Sequence, residues 1–465
     1  MNLFTKKKSS RIISVLTAVI LFIIAAFFFL IYFINLSSLI LIVVLALYLK
    51  YFCKDRKLPS SLDLFTLVVM AVLIVVLTTV TFKLSPYAVS AIGFAILITV
   101  LFDDLQLSIL FSVVISLMAA STQTGSFGLV VGISLLTSSI AAAMMSYRVR
   151  MRFMIIRAGF FAGLLQFVVA FIGEKGQGFY FFSYTDVELL KVCVLGGIVS
   201  AIVVIGVLPL FEYIFRVVTN VSLLELSDFN NPLLKKMILE APGTYHHSLV
   251  VANLAEAATE AIGANSLLAR VGSYYHDIGK ISKPHYFVEN QIPYRDVHKD
   301  LKPSISKLII INHIKEGVEL ARRYHLNPKI IDFIVQHHGK SLVYYFYHRA
   351  KELEPESGNE EEYRYPGPKP QSKEIAIVSL ADTVEALSRT LEEPTPSRIE
   401  EMVNDIVRRK FIEGELDESD LTLKDLEKIA ESFIRVLNAT FHTRITYPQD
   451  DTDKKSSKNQ ENKTG

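Results

Sequence analysis

Apolar positions are spread unevenly along the chain. Before about Phe215 they form runs near twenty residues long, the length a helix needs to cross a bilayer. Eight such runs are predicted, at residues 12–34, 36–52, 62–83, 86–102, 105–120, 126–147, 153–173 and 189–215. The fourth and fifth are short and separated only by Asp103 and Asp104, so hydropathy alone also permits seven. Charge favours eight, because Lys and Arg concentrate in cytoplasmic loops. With eight spans, three basic clusters share one side: Lys6, Lys7, Lys8 and Arg11; Lys50, Lys54, Arg56 and Lys57; and Arg148, Arg150 and Arg152. The loop holding Glu174, Lys175 and Asp186 falls on the other. The first run is too long for a signal-peptide core and no Ala-x-Ala-like site follows, so it is expected to persist as a span.

Beyond Phe215 the pattern becomes charged and periodic. From Arg216 to Gly243, Leu223, Leu224, Leu226, Leu233, Leu234, Met237 and Ile238 are spaced for short amphipathic helices, with Pro232 in a first turn. Residues 246–262 predict a helix with Leu249, Val250, Asn253, Leu254, Ala257 and Ala261 on one face and Gly263 as its C-terminal cap. Asn265 caps a second helix ending near His276-Asp277. Pro303-Ser304 opens a third, over about 304–325, and a fourth follows Asn327-Pro328 and ends at His337-His338-Gly339. Residues 352–372 read as a loop, and 373–390 as a helix carrying Asp382 among Ile377, Val378, Ala381, Val384 and Leu387. Thr395-Pro396 with a Ser397-x-x-Glu400 capping box starts another helix, and Thr422 begins the last. The polar stretch after Tyr447 is expected to be disordered. No segment alternates like a strand, so the fold class is all-α: a polytopic transmembrane helical domain followed by an all-helical bundle on the cytoplasmic side.

Composition narrows the function. The chain of 465 residues is 51% hydrophobic, and its net charge of +2 is too small to argue for polymeric nucleic acid as a partner. Cys53 and Cys193 form no CxxC or framework pattern, so neither a thiolate metal site nor a disulfide scaffold is supported. The spans hold almost no ionisable residues, against the habit of transporters. Gly125, Gly128 and Gly132 point to close helix packing. Anchoring or sensing is the expected role of this half, with the lipid bilayer as partner.

The chemistry lies in Tyr275-His276-Asp277-Ile278-Gly279-Lys280. An imidazole can bind one metal while the adjacent carboxylate, whose two oxygens point different ways, bridges to a second. His247, His313, His337, His338 and Asp382 are the further candidate ligands, spread over several helices as in bundle-core metal sites. Imidazole and carboxylate without thiolate suit Fe, Mn, Zn or Co. We assign His247, His276 and Asp382 to one ion, His313, His337 and His338 to the other, and Asp277 to both. Helical geometry turns only one of His246 and His247 inward, and the pattern favours His247. An unpaired buried carboxylate is expensive, so Asp382 on an apolar face needs a partner. Lys280 could meet a substrate phosphate. His285, His298, His325, His348 and His442 read as surface residues, as do Arg322, Arg323 and Arg389.

Taken together, EAPGTYHHSLVVANLAEAATEAIGAN, YYHDIGK, YFVENQ, IIINHIKEGVELA, IIDFIVQHHG, YRYPGPKPQSKE and SLADTVEALSR resemble the bacterial seven-transmembrane HD-domain phosphohydrolases of the PgpH type, over about residues 36–447. The resemblance implies a multi-pass protein of the bacterial cell membrane. Its parts would be a basic N-terminus at 1–11, a transmembrane domain at 12–217, a connector at 218–243, a cytoplasmic HD phosphohydrolase domain at 244–447 and a tail at 448–465. It implies hydrolysis of cyclic di-AMP to 5′-pApA with two divalent ions, iron or manganese. The family's ligands map onto the seven residues above, which decides for His247, and strengthen the case for Lys280. Members usually carry a large extracellular domain after the first span, and here the second span follows almost at once. A related subgroup acting on cyclic di-GMP carries Gly-Tyr-Pro after its paired His; here His338 is followed by GKSLVYYFYH.

The expected mechanism is in-line attack by a hydroxide bridging the two metals, with Asp277 and Lys280 as the catalytic side chains and the ions neutralising the charge that develops. Tyr245, Tyr274, Tyr344 or Tyr345 could stack on adenine. The alternatives are a membrane nucleotide receptor with weak or no hydrolysis, a phosphodiesterase for another cyclic dinucleotide, a di-iron oxygenase and a transporter. Oligomeric state, a homo-oligomer included, is left open.

Overall fold

The computed structural model describes residues 85–88, 91–176, 183–215, 217–291, 297–353 and 359–441. The predicted spans at 12–34, 36–52 and 62–83, the N-terminal basic clusters, His442 and the tail lie outside the described residues. Among the described residues there is no strand, only an isolated antiparallel bridge between Leu342 and Arg364. Two compact units are resolved. One runs to Asn231 and includes His325–Lys329; the other comprises Pro232–Tyr324 and Ile330 onward.

The first unit contains α1 (Ala91–Phe102), α2 (Leu105–Ser121), α3 (Gly125–Ser146), α4 (Arg152–Lys175), α5 (Tyr184–Phe215) and the short α6 (Asn220–Leu226). The helices α1 to α5 lie on the residues predicted as the fourth to eighth spans. Three of them, α3, α4 and α5, are long and apolar enough to cross a membrane. A break separates α1 from α2: Asp103 takes a left-handed φ of 51°, and the Asp104 carboxylate caps α2 by accepting from Gln106 N and Leu107 N. Side chains would keep α4 and α5 apart at Gly159, Gly163 and Gly197, where an added Cβ would strike backbone of the facing helix. Gly128 and Gly132 meet α2 closely in the same way, whereas Gly125, with φ 65°, starts α3 and faces open space. Close approach of small residues is how helices associate where lipid removes the hydrophobic drive.

The second unit comprises α7 (Pro232–Glu240), α8 (Pro242–Ala261), α9 (Ser266–Tyr275), α10 (Pro303–Arg323), α11 (Pro328–Gln336), α12 (Tyr344–Leu353), α13 (Lys373–Ser388), α14 (Pro396–Ile412) and α15 (Leu423–Phe441). Local chemistry sets many of their starts. Asn265 accepts from Leu268 N at 3.0 Å to cap α9. Thr422 and Asp425 form a reciprocal capping box on α15, each side chain accepting from the other's backbone N–H at 3.1 Å. For α14 the cap is Thr395, not Ser397, and the Ser397-x-x-Glu400 box does not form: Ser397 already lies in the first turn that Pro396 begins. The core gathers Val251, Leu254, Ala255 and Ala258 of α8 with Phe333, Ile377, Ala381, Val384, Ile429 and Phe433. That buried face differs from the predicted one, since Asn253 is exposed. Neighbours α9, α13 and α15 all pack on α8, and its small alanines fill the tight contacts. The helix α12 was not predicted; it buries Phe346, Tyr347 and Ala350 against Ile314 of α10.

Candidate metal centre

Five helices deliver the seven predicted ligands to one place. His247 lies in the second turn of α8. His276 is the C-cap of α9, and Asp277 precedes a 3-10 turn at Ile278–Ser282. Gly279 lets that turn lie directly on α10, because a Cβ there would run into the carbonyl oxygen of His313 and the amide of Gly317. His313 is carried by α10, and His337 and His338 follow the last turn of α11. Gly339, with φ 55°, turns the chain away after them. Asp382 projects from α13.

The two oxygens of Asp277 face different partners. On one side, Oδ2 is 3.6 Å from His247 Nε2 and 3.2 Å from His276 Nε2, and both imidazoles approach Asp382 Oδ1, at 3.1 and 3.7 Å. On the other, Oδ1 is 3.4 Å from His313 Nε2 and 3.7 Å from His337 Nε2. His338 Nδ1 lies 3.6 Å from Asp382 Oδ2. Two groups result, His247, His276, Asp277 and Asp382, and Asp277, His313, His337 and His338. Within each, the ligating atoms lie within 4.8 Å of one another.

The hydrogen bonds around the centre decide what it can hold. His276 Nδ1 is 2.7 Å from Ser273 O, His313 Nδ1 is 2.6 Å from Ile310 O, and His337 Nδ1 is 2.9 Å from Phe333 O. A carbonyl cannot donate, so each Nδ1 carries a proton, which leaves Nε2 as the atom that can offer a lone pair to an inbound cation. Neither oxygen of Asp277, nor Nε2 of His276, has a well-aligned hydrogen-bond partner, and all three are buried. The centre thus gathers more potential ligand atoms than Lys280 alone can serve, and buried carboxylates are costly unless cationic groups join them. These residues fit a pair of divalent ions.

The electrostatics carry the same signature. Burial alone would pull His276 down, but the Asp277 and Asp382 carboxylates push it up to about 10. His337 goes the other way, down to about 3, through burial and the neighbouring His276 charge. Burial would raise Asp277 and Asp382; Lys280 and His276 hold the first well below the usual carboxylate range, and His247 and His276 hold the second there. Protons and Lys280 therefore supply positive charge where ions would otherwise supply it. Lys280 Nζ sits between Asp277 Oδ2, at 2.7 Å, and Glu289 Oε1, at 2.9 Å.

Residues around the centre were read less well. His246 is exposed, as are His285, His325 and His348, but His298 is buried, with Nε2 2.7 Å from Tyr286 O and its ring against Phe346. Its turn is folded under α12, which the sequence reading lacked. Arg322 and Arg323 are exposed. Arg389 is more than a surface charge: its Nε donates to Glu385, whose other oxygen lies 2.6 Å from His247 Nδ1. Glu385 was missed, although it stands three residues after Asp382 on the same helical face. Glu289 and Tyr365 were missed as well, the latter stacked on His338 with ring centroids 4.2 Å apart. Both come from irregular segments with no periodicity to betray them. Of the tyrosines proposed to stack on a base, Tyr344 and Tyr345 are each 62% exposed.

The sequence matches in succession the family described as a 7TM receptor with intracellular HD hydrolase, over residues 28–219, and the HD domain, over residues 244–387. The chain belongs to the family of seven-transmembrane proteins that carry an HD hydrolase domain. It is 43% identical over 367 residues to the cyclic-di-AMP phosphodiesterase PgpH of Bacillus subtilis, a match covering 78% of this chain and 51% of that protein. To the PgpH of Listeria monocytogenes it is 42% identical over 344 residues, covering 74% and 47%. The chain spans about half the length of these curated relatives. The crystal structure of the L. monocytogenes PgpH HD domain in complex with cyclic-di-AMP is 50% identical; the match covers 46% of this chain and 100% of that one, with a TM-score of 0.44.

Proposed function

We propose that this chain is a membrane-anchored, metal-dependent phosphodiesterase that hydrolyses cyclic di-AMP to 5′-pApA on the cytoplasmic side of the bacterial cell membrane. The observation that carries this reading is the shared carboxylate of Asp277, with each oxygen turned to a separate cluster of acceptors. His247, His276 and Asp382 would hold one ion, His313, His337 and His338 the other, and Asp277 both. Iron or manganese suits this imidazole and carboxylate set. Two bound divalent ions supply Lewis acidity toward a phosphodiester and toward water. The substrate assignment draws on the relatives' activity and on the sequence after His338.

The chain's own residues fix where a substrate can enter. His276, His313 and His337 have side chains at most 1% exposed, so they close the floor of the centre. His338, Asp382 and Lys280 are 20, 12 and 14% exposed, and a phosphate reaches the centre past them. There Lys280 can hold a non-bridging oxygen while Glu289 keeps its ammonium in place. Closure by packed helices excludes bulk water and strengthens each charge interaction.

The test is turnover by the full chain purified in detergent, supplied with Mn²⁺ and assayed against cyclic di-AMP and cyclic di-GMP. Formation of 5′-pApA from cyclic di-AMP, also without oxygen, is expected. Ligand binding with no product would point instead to a receptor.

A further inference from the structure

The two sides of the centre are not equally equipped to receive a phosphate. Beside Asp277 Oδ2 stands Lys280, a cationic donor. Beside Oδ1 stand His313 and His337, whose N–H groups are turned outward to backbone carbonyls and offer an incoming anion no proton. Tyr365 closes this second side. Its ring lies on His338 with centroids 4.2 Å and planes 24° apart, and meets His313 edge-on at 6.3 Å.

The segment carrying Tyr365 is firmly placed. Tyr365 N donates to Ser341 O at 3.0 Å and Val343 N to Tyr363 O at 2.8 Å, which ties it to the residues just after His338-Gly339-Lys340. Tyr365 is only 8% exposed as a residue, and its hydroxyl, which is not fully buried, makes no hydrogen bond within the described residues. The phenol O–H therefore has its donor uncommitted and open to a ligand, while the ring itself is held in place by its stacking on His338.

We propose that the Tyr365 hydroxyl donates a hydrogen bond to a phosphate oxygen of the ligand on the His313–His337–His338 side, the counterpart of Lys280 on the other. This rests on the phosphodiesterase reading and adds to it a phosphate-positioning residue outside the ligand set. A phosphate diester bound over Asp277 would then be held at two oxygens from two directions, by an ammonium and by a phenol. The ring's stacking on His338 is a separate, structural contribution.

Replacing Tyr365 with Phe keeps the ring and removes the donor. With the manganese-loaded full chain in detergent, Tyr365→Phe is expected to retain wild-type metal content and melting temperature while kcat/KM for cyclic di-AMP falls about 10- to 100-fold, the range for a lost hydrogen bond to a charged group. Calorimetric titration of inorganic phosphate into the same two proteins, which needs no turnover, should show weaker binding by the variant. Tyr365→Leu, which also removes the ring, should lose metal in addition. Unchanged phosphate binding and turnover in Tyr365→Phe would overturn the proposal, and so would loss of metal together with activity, because the ring would then be the whole of its role. If the wild-type chain turned over no cyclic dinucleotide, the hydrolase reading would fail on its own, and the phosphate titration would still decide the role of Tyr365.

Discussion

Both units bury acids, but they treat them in opposite ways. In the membrane unit, Glu212 accepts from Thr219 N at 2.9 Å, from the Thr219 hydroxyl at 2.5 Å and from the Ser222 hydroxyl at 2.9 Å. Asp186 is likewise furnished, by Ser183 N, the Ser183 hydroxyl and Lys175. Each carboxylate has its donors close in sequence and finishes a helix end. In the HD unit, Asp277 is nearly fully buried and faces four imidazole nitrogens able to ligate a cation, with Lys280 as its one ammonium neighbour among the described residues. A buried acid with a complete set of donors is a structural part. One ringed by imidazoles on both oxygens is a place prepared for cations.

The comparison breaks most sharply at Asp277. Asp277→Ala should abolish turnover, well beyond the 10- to 100-fold that loss of even an outer partner of a metal ligand brings about; product formation from cyclic di-AMP measures it, and retained turnover would remove the shared-ligand assignment. Next comes Gly279→Ala, in which the new methyl meets the His313 carbonyl. Forcing the HDIGK turn off α10 should destabilise the HD unit by about 1–3 kcal/mol or more, read from denaturant unfolding, and a wild-type midpoint would show the contact to be slack.

A matched pair sharpens the contrast further. Glu385→Gln should weaken manganese binding about 10- to 100-fold, since the carboxylate that orients His247 becomes an amide. Glu212→Gln should leave metal binding untouched, because its partners complete a helix end and no ligand. Equal effects of the two variants on manganese affinity would erase the distinction. The smallest effect is expected for Arg152→Ala. Its fork on Glu225 joins two side chains that are 39 and 52% exposed, and such pairs contribute on the order of 0.2–1 kcal/mol.

Much of the centre could be read from the sequence because its chemistry is carried by residue types that have no cheap apolar substitute. His313 inside IIINHI and Asp382 inside an apolar helix face stand out because burial makes them expensive. The helices were legible where caps and periodicity agree, as at Asn265 and Thr422. Reading failed where packing came from several directions. The buried face of α8 was misplaced because three helices cover it and alanine gives a weak hydropathy signal. The helix α12 was passed over, and His298 was then read as exposed although α12 covers it. Tyr365 reaches His338 through a turn and a lone bridge, contacts that no local pattern encodes. In the membrane half, Gly128 and Gly132 make the close approach expected of them and Gly125 instead starts a helix, whereas Gly159, Gly163 and Gly197, which form a tight seam among the described residues, sit in apolar runs with no pattern to mark them.

Metal stoichiometry tests the central claim most directly. The full chain in detergent, loaded with Mn²⁺, desalted and analysed by mass spectrometry of the elements, should carry about two ions, one for each group built around Asp277. Asp277→Ala should lose both together. A wild-type chain holding one ion or none, or an Asp277→Ala variant that keeps two, would contradict the account.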